Sequence, residues 1–291
     1  MKTNVDTHGG QLAAAYEDAY ARYLVRAVAE FRAAGAPAIA LTVVNEPKAS
    51  PGYSPSMAMS ADQGGPAGRD VAAAPARRGR AALGGGPCLR PQLGRHDVPD
   101  RGAEGPDAGA FAGAAFHCYG GDESARSRVA AAAPGKQVWT TECSGGTWSP
   151  DFPTNLRWNA RHMLVGAFRN LSTASLWFNL ALDPSGGPTN GGCTTCRGLL
   201  TIDPAAGAVT RNVEYWLVAQ FGRRVRPGAV RVDSTASNPT GVQSVAFVDP
   251  DGSHALVLYN EGGSAQPVTV RWAGKVARVR AAAGAVATLH W

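Results

Sequence analysis

The chain has 291 residues, of which 44% are hydrophobic and 17% charged, with a net charge of +6. That length suits one large domain or a medium domain plus a small one, and the composition can bury a core, which excludes global disorder. No apolar run approaches the ~20 residues that cross a bilayer, and the mostly arginine basic residues are scattered instead of forming the stripe a phosphate-binding face needs; neither a membrane span nor a nucleic-acid partner is expected.

From Gln11 to Ala34, the residues Leu12, Tyr16, Tyr20, Tyr23, Leu24, Ala27, Val28 and Phe31 recur at helical spacing. After the turn Gly35-Ala36-Pro37, residues 38–44 read as a strand buried on both faces that stops at Asn45-Glu46-Pro47. The segment Gly64–Ala110 breaks the pattern: 34 of its 47 residues are Gly, Ala, Arg or Pro, and it shows neither a helical nor a strand period. So long an unstructured stretch inside a compact domain counts against the segment being what it seems. The readings open for it are a disordered insertion or a displaced reading frame.

Helix and buried strand then alternate. Residues 112–119 form an apolar strand ending in His117-Cys118-Tyr119, 122–133 a helix, 137–141 a strand ending at Glu142, 155–170 a helix, 173–180 a strand and 213–221 a last helix. Such alternation argues for parallel β/α units. Past Gly222, short β-branched runs at 230–232, 241–248, 254–259, 267–272 and 276–281 are separated by turns such as Asp249-Pro250-Asp251-Gly252. This is a small antiparallel β domain, a sandwich. Of the five cysteines, Cys193 and Cys196 form a CxxC without the second pair that zinc requires and without the helix that a redox CxxC opens. A small structural disulfide in an exported protein is the favoured reading.

Glu46 and Glu142 each end a buried strand. In β/α barrels the working groups gather at such ends, and two carboxylates there suit glycoside hydrolysis, one protonating the leaving oxygen and the other attacking the anomeric carbon. The ordinary reading of a strand-end glutamate is a solvated group or one paired with an arginine. Here the neighbours argue otherwise: Asn45 adjoins Glu46, and Glu142 opens a glycine-rich loop that displays the indole of Trp148.

The motifs Thr42-Val43-Val44-Asn45-Glu46-Pro47, Phe116-His117-Cys118-Tyr119-Gly120-Gly121, Thr141-Glu142-Cys143-Ser144-Gly145-Gly146, Asn179-Leu180-Ala181-Leu182-Asp183-Pro184, Gly192-Cys193-Thr194-Thr195-Cys196-Arg197-Gly198 and Arg211-Asn212-Val213-Glu214-Tyr215 resemble, in order, those of glycoside hydrolase family 30, the glucosylceramidase and β-1,6-glucanase group. The resemblance implies a (β/α)₈ TIM barrel plus a C-terminal antiparallel β-sandwich, and a retaining mechanism without cofactor or metal. It makes Glu46 the acid/base and Glu142 the nucleophile. Asn45, Tyr53, His117, Tyr119, Trp148 and Phe178 would bind substrate, Phe178 standing where the family usually has tryptophan. The substrate would be a β-glucoside, either glucosylceramide or a β-1,6-glucan.

The chain also departs from the family. Met1-Lys2-Thr3-Asn4 resembles the end of barrel strand three, so strands one and two, most of strand three and a signal peptide are expected to belong to a longer, extracellular parent. Where strand five and its Tyr-Asp-His-Asn-Trp-Asp motif should stand, the codons of residues 89–99 can be read one base later to give that motif back, followed by Tyr-Pro. Residues 64–110 are therefore expected to reflect two compensating frame errors, with Cys88 an artefact. The organisation expected is 1–63, barrel (helix three, strand four); 64–110, aberrant; 111–222, barrel (strands six to eight); and 223–291, sandwich. A competing expectation is a catalytically dead remnant or a weak carbohydrate-binding fragment.

Overall fold

The structure is a computed structural model and describes residues 1–48, 55–60, 63–64, 83–84, 111–149, 151–238 and 241–291. Tyr53, Cys88 and the re-read stretch 89–99 lie outside the described residues. The chain divides into two compact units, Met1–Thr141 with Leu171–Ala174 and Glu142–Asn170 with Ser175–Trp291.

In the first unit, helix α1 (Glu17–Ala33) begins later than the apolar spacing predicts, because Gln11 and Leu12 are taken up by β-bridges to Ala58 and Lys2. Glu17 and Asp18 in its first turn and Arg32 in its last complement the helix dipole. Ala21, Leu24 and Val28 are its buried positions, whereas Tyr16, Tyr23 and Phe31 are exposed, so the buried stripe is narrower than the aromatic positions imply. Ala21 and Leu24 pack against Leu12, Val43, Val44, Met59 and Phe111. The strand expected over 38–44 shrinks to Ala40–Leu41 (β1), paired in parallel with Leu83–Gly84 (β2). Val43 and Val44 are buried beyond its end, where the Tyr20 hydroxyl donates to the Val43 carbonyl. Burial here comes from side chains packing on α1 and not from a ladder.

A three-stranded sheet follows, with β3 (Gly113–His117) beside β4 (Gln137–Glu142) and β4 beside β6 (Ser172–Ser175). Helix α2 (Ser124–Ala132) lays Ala125 and Val129 over Phe116 and Val138. The strand expected over 173–180 is confined to β6; Leu176, Phe178 and Leu180 beyond it are exposed, so that apolar run forms surface instead of core.

In the second unit, Asp151 caps helix α3 (Phe152–Asn159), and hydrogen bonds from the Thr154 hydroxyl and N–H hold its carboxyl below the usual range. The helix passes through a π turn (Ala160–Val165) into α4 (Gly166–Arg169), burying Met163, Leu164, Val165 and Ala167. Two short ladders lie ahead of the last helix, α5 (Val213–Gly222). In one, β5 (Gly145–Gly146) pairs antiparallel with β8 (Cys196–Arg197). In the other, β7 (Ala181–Leu182) runs parallel to β9 (Leu200–Asp203), which turns back as β10 (Ala208–Arg211).

The C-terminal β domain is as expected, with one strand more. The sheet runs β11 (Val230–Val232), β12 (Val242–Val248), β13 (His254–Asn260), β16 (Val286–His290), and every neighbouring pair is antiparallel. The hairpin of β14 (Gln266–Trp272) and β15 (Lys275–Ala281) brings Val268, Val270 and Val279 against Val242, Leu256 and Leu258 of that sheet. Phe168 of α4, Phe221 of α5 and Phe247 of β12 form one aromatic cluster, with ring centroids 5.1–6.2 Å apart, that ties helices to sheet.

Two neighbours on β13 carry opposite polar accounts. Asn260 is fully buried; its amide donates to the carbonyls of Ser264, Ala281 and Ala282 and accepts from Gly262 N–H at 3.0 Å. The Tyr259 hydroxyl is buried with no hydrogen-bond partner among the described residues, and burial, reinforced by the Glu261 charge, pushes its pKa up to about 12. Asn260→Ala is expected to lower unfolding stability by about 2–4 kcal/mol in urea titration, because it strands several buried backbone groups at once. Tyr259→Phe removes an unpaired buried hydroxyl and is expected to leave stability unchanged, or to raise it by up to about 1 kcal/mol, in the same assay.

Candidate active site

The first unit supplies Asn45, Glu46, His117 and Tyr119. Asn45 is exposed. Glu46 follows the buried Val43-Val44 anchor and adopts a left-handed backbone with φ +44°. For a residue other than glycine, that conformation costs on the order of 1–3 kcal/mol and persists only where surrounding contacts impose it. One such contact is plain: His117, the last residue of β3, faces Glu46 Oε1 through Nδ1 at 2.9 Å. The imidazole is 3% exposed and the carboxylate 17%, so the acid keeps a window to solvent while its partner has none. With Glu46 ionised, the ring donates from Nδ1; with Glu46 protonated, the carboxyl donates to Nδ1. Tyr119 sets its ring edge-on to His117 at 5.8 Å and is itself exposed.

The second unit supplies Glu142, Trp148, Phe178 and the CxxC. Glu142 is the last residue of β4 and half-buried. The loop that follows it is pinned along its length. Cys143 O accepts from Phe178 N at 2.9 Å, Gly145 and Gly146 pair with Arg197 and Cys196, and Thr147 N donates to Thr195 O at 2.9 Å. Cys193 and Cys196 are joined in a disulfide, so the strand that receives the glycines is itself cross-linked.

Both glycines are steric requirements. A Cβ on Gly146 would lie 2.0 Å from the Trp148 ring, and one on Gly145 would lie 2.0 Å from Glu214 Oε1. The indole of Trp148 therefore rests on bare backbone, with 58% of the residue open to solvent. Phe178, also exposed, is tied through its N–H to the residue after Glu142. Two exposed rings and a strand-end carboxylate thus share one tightly held stretch, and rings of this kind suit the C–H faces of a sugar.

The residues that sequence reasoning missed lie beneath this loop. Glu214, fully buried at the start of α5, takes a two-pronged ion pair from Arg197 (Nη2–Oε1 2.7 Å, Nε–Oε2 3.3 Å). Asn155 donates to Ser149 O at 2.8 Å and to Glu214 Oε1 at 3.5 Å. Glu214 and Arg197 both stand inside quoted motifs, yet nothing in a linear reading marks a glutamate as buried.

Residues 228–289 match the family described as Glycosyl hydrolase family 30 beta sandwich domain. The chain is 31% identical over 292 residues to the Endo-1,6-beta-D-glucanase of Neurospora crassa, covering 91% of this chain and 57% of that protein. It is 25% identical over 136 residues to the Lysosomal acid glucosylceramidase of Mus musculus, covering 47% of this chain and 25% of that one. The solved structure of the endo-beta1,6-glucanase BT3312 superposes with a TM-score of 0.87 at 27% identity, over 98% of this chain and 66% of that one. Residues 228–289 carry that β-sandwich match, and the described residues before them form helices and short sheets. The chain is thus similar to members of glycoside hydrolase family 30, and it spans about half the length of the endo-1,6-beta-glucanases it matches.

Gly145→Ala tests the cradle. The methyl group has no room above Glu214, so the variant is expected to lose about 1–3 kcal/mol of stability in thermal or denaturant unfolding, whereas Gly263→Ala, with nothing within 4 Å of its Cβ, is expected to lose far less.

Proposed function

We propose that the chain carries the catalytic groups of a retaining β-glycosidase that cleaves β-1,6-linked glucan. The observation that carries the reading is the Glu46–His117 contact, a partly exposed carboxylate on a left-handed backbone held by a buried imidazole. In the proposed reaction a Glu142 carboxylate oxygen attacks the anomeric carbon while Glu46 delivers its proton to the glycosidic oxygen. The C–O bond breaks, the sugar leaves as an alcohol, and a glucosyl ester forms on Glu142. Water then attacks the same carbon, Glu46 takes the proton from it, and the ester bond breaks to regenerate the Glu142 carboxylate. His117 fixes the orientation of Glu46 through both steps. Asn45 binds the 2-hydroxyl, Tyr119 lines the site, and Trp148 and Phe178 stack on sugar rings. The Cys193–Cys196 disulfide supports a protein that acts outside the cell.

A glucan is favoured over a glucosylceramide as substrate because the likeness to endo-1,6-β-glucanases runs through nearly the whole chain, while that to the glucosylceramidase covers under half of it. The test is release of reducing ends from a linear β-1,6-glucan, with NMR of the first product anomer. Retained β configuration is expected. Glu142→Gln is expected to lower kcat by roughly 10³-fold or more. Glu46→Gln is expected to slow glucan cleavage by roughly 10²–10⁴-fold, while with an aryl glucoside whose leaving group needs no proton the ester-forming step is spared and turnover waits on the unassisted attack of water. An inverted product, or a Glu142→Gln variant within tenfold of the unmodified chain, overturns the reading. Glucan binding without turnover would favour the carbohydrate-binding fragment instead.

A further inference from the structure

We propose that the buried Arg197–Glu214 pair positions the Glu142 loop for catalysis, an assignment that rests on Glu142 being the nucleophile. Four observations converge on one spot in the second unit. Glu214 is fully buried and receives both prongs of the Arg197 guanidinium. Arg197 is also the backbone pairing partner of Gly145, three residues after Glu142. The α-carbon of Gly145 sits so close over Glu214 Oε1 that no side chain fits between them. Asn155 joins the same carboxylate oxygen to the far end of the loop at Ser149 O. The loop from Glu142 to Ser149 is thus held from below by one carboxylate through three different groups: a guanidinium, a bare α-carbon and an amide.

A bidentate guanidinium–carboxylate pair fixes angle as well as distance, and because the Glu214 side chain is closed to solvent while that of Arg197 is 19% exposed, the carboxylate has no water to turn to if the fork is lost. The proposed reaction gives neither residue a contact with the substrate, so neither is a catalytic residue. They are positioning residues, acting on where the Glu142 carboxylate and the Trp148 ring stand. Displacement of a reacting group by about 1 Å is enough to cost on the order of 10²-fold in rate.

The deciding variant is Arg197→Met/Glu214→Met, which removes both charges without leaving either one buried and alone. Three quantities are measured on the full chain: the melting temperature, amide hydrogen exchange of peptides covering 142–149 and 242–260, and kcat with KM on linear β-1,6-glucan. The expected result is a melting temperature within a few degrees of the unmodified chain, exchange over 142–149 faster by roughly tenfold with 242–260 unchanged, and kcat lower by roughly 10- to 100-fold with a smaller change in KM. Arg197→Lys keeps the charge but loses the fork, and is expected to fall between the two. Exchange over 142–149 within twofold of the unmodified chain overturns the proposal, as does an unchanged kcat alongside faster exchange. If the double variant does not fold, Glu214→Gln, which keeps the shape and drops the charge, is put through the same measurements with the same criteria. Should the unmodified chain leave the glucan uncut, the catalytic reading fails separately, and the exchange result alone decides whether the pair holds the loop.

Discussion

A buried carboxylate is the constraint around which the second unit is arranged. Taking the Glu214 charge out of water carries a desolvation cost of several kcal/mol that a single weak contact does not offset. The chain meets this with a guanidinium in fork geometry and an amide donor. Each of those donors must come from a fixed place. Arg197 is delivered by a strand whose preceding residue is held in a disulfide, and Asn155 by a helix whose start is capped by Asp151. What looks locally like three unrelated features, a CxxC, a capped helix and a glycine pair, is a set of supports for one charge.

Backbone strain supplies the corresponding constraint in the first unit. A glutamate in the left-handed region would relax if it could. Among the contacts that oppose that are the Val43-Val44 anchor, which seats the preceding residues in the core under α1, and the His117 imidazole, which takes hold of the carboxylate. The anchor is apolar and non-directional, whereas the imidazole contact is directional, so the first fixes where the chain turns and the second fixes where the acid points. Burial of His117 matters for the same reason, because a solvated imidazole would trade its carboxylate partner for water.

Much of this was legible in the sequence. The β domain is written as short β-branched runs between turn signals, and its strands fall where those runs stand; only β16 went unread, since Val286–His290 follows an alanine- and glycine-rich stretch that dilutes the alternation. The strand-end positions of Glu142 and His117 and the Cys193–Cys196 bond were likewise readable. Strand length was not: residues 38–44 and 173–180 are apolar enough for long strands, but a ladder needs a partner backbone, and apolar composition says nothing about one. The burial of Glu214 was also hidden, because a lone glutamate in a helix normally signals solvent. Its only trace is indirect, in the paired glycines after Glu142 and an arginine next to a cysteine.

The two constraints differ in what they demand of neighbouring residues, and that difference explains where the chain tolerates change. Around Glu46 the requirement is for a directional hydrogen bond, which only a few side chains in one place can meet. Around Glu214 the requirement is for the absence of side chains, since Gly145 and Gly146 leave no room for a β-carbon beneath Trp148 and above the carboxylate. A site built on absence is fragile to additions and indifferent to polarity, whereas one built on a hydrogen bond is fragile to deletions. The loop after Glu142 combines both, being glycine where it crosses the buried pair and aromatic where it meets solvent, so the Trp148 ring is presented by a backbone that the Arg197–Glu214 pair holds from the other side.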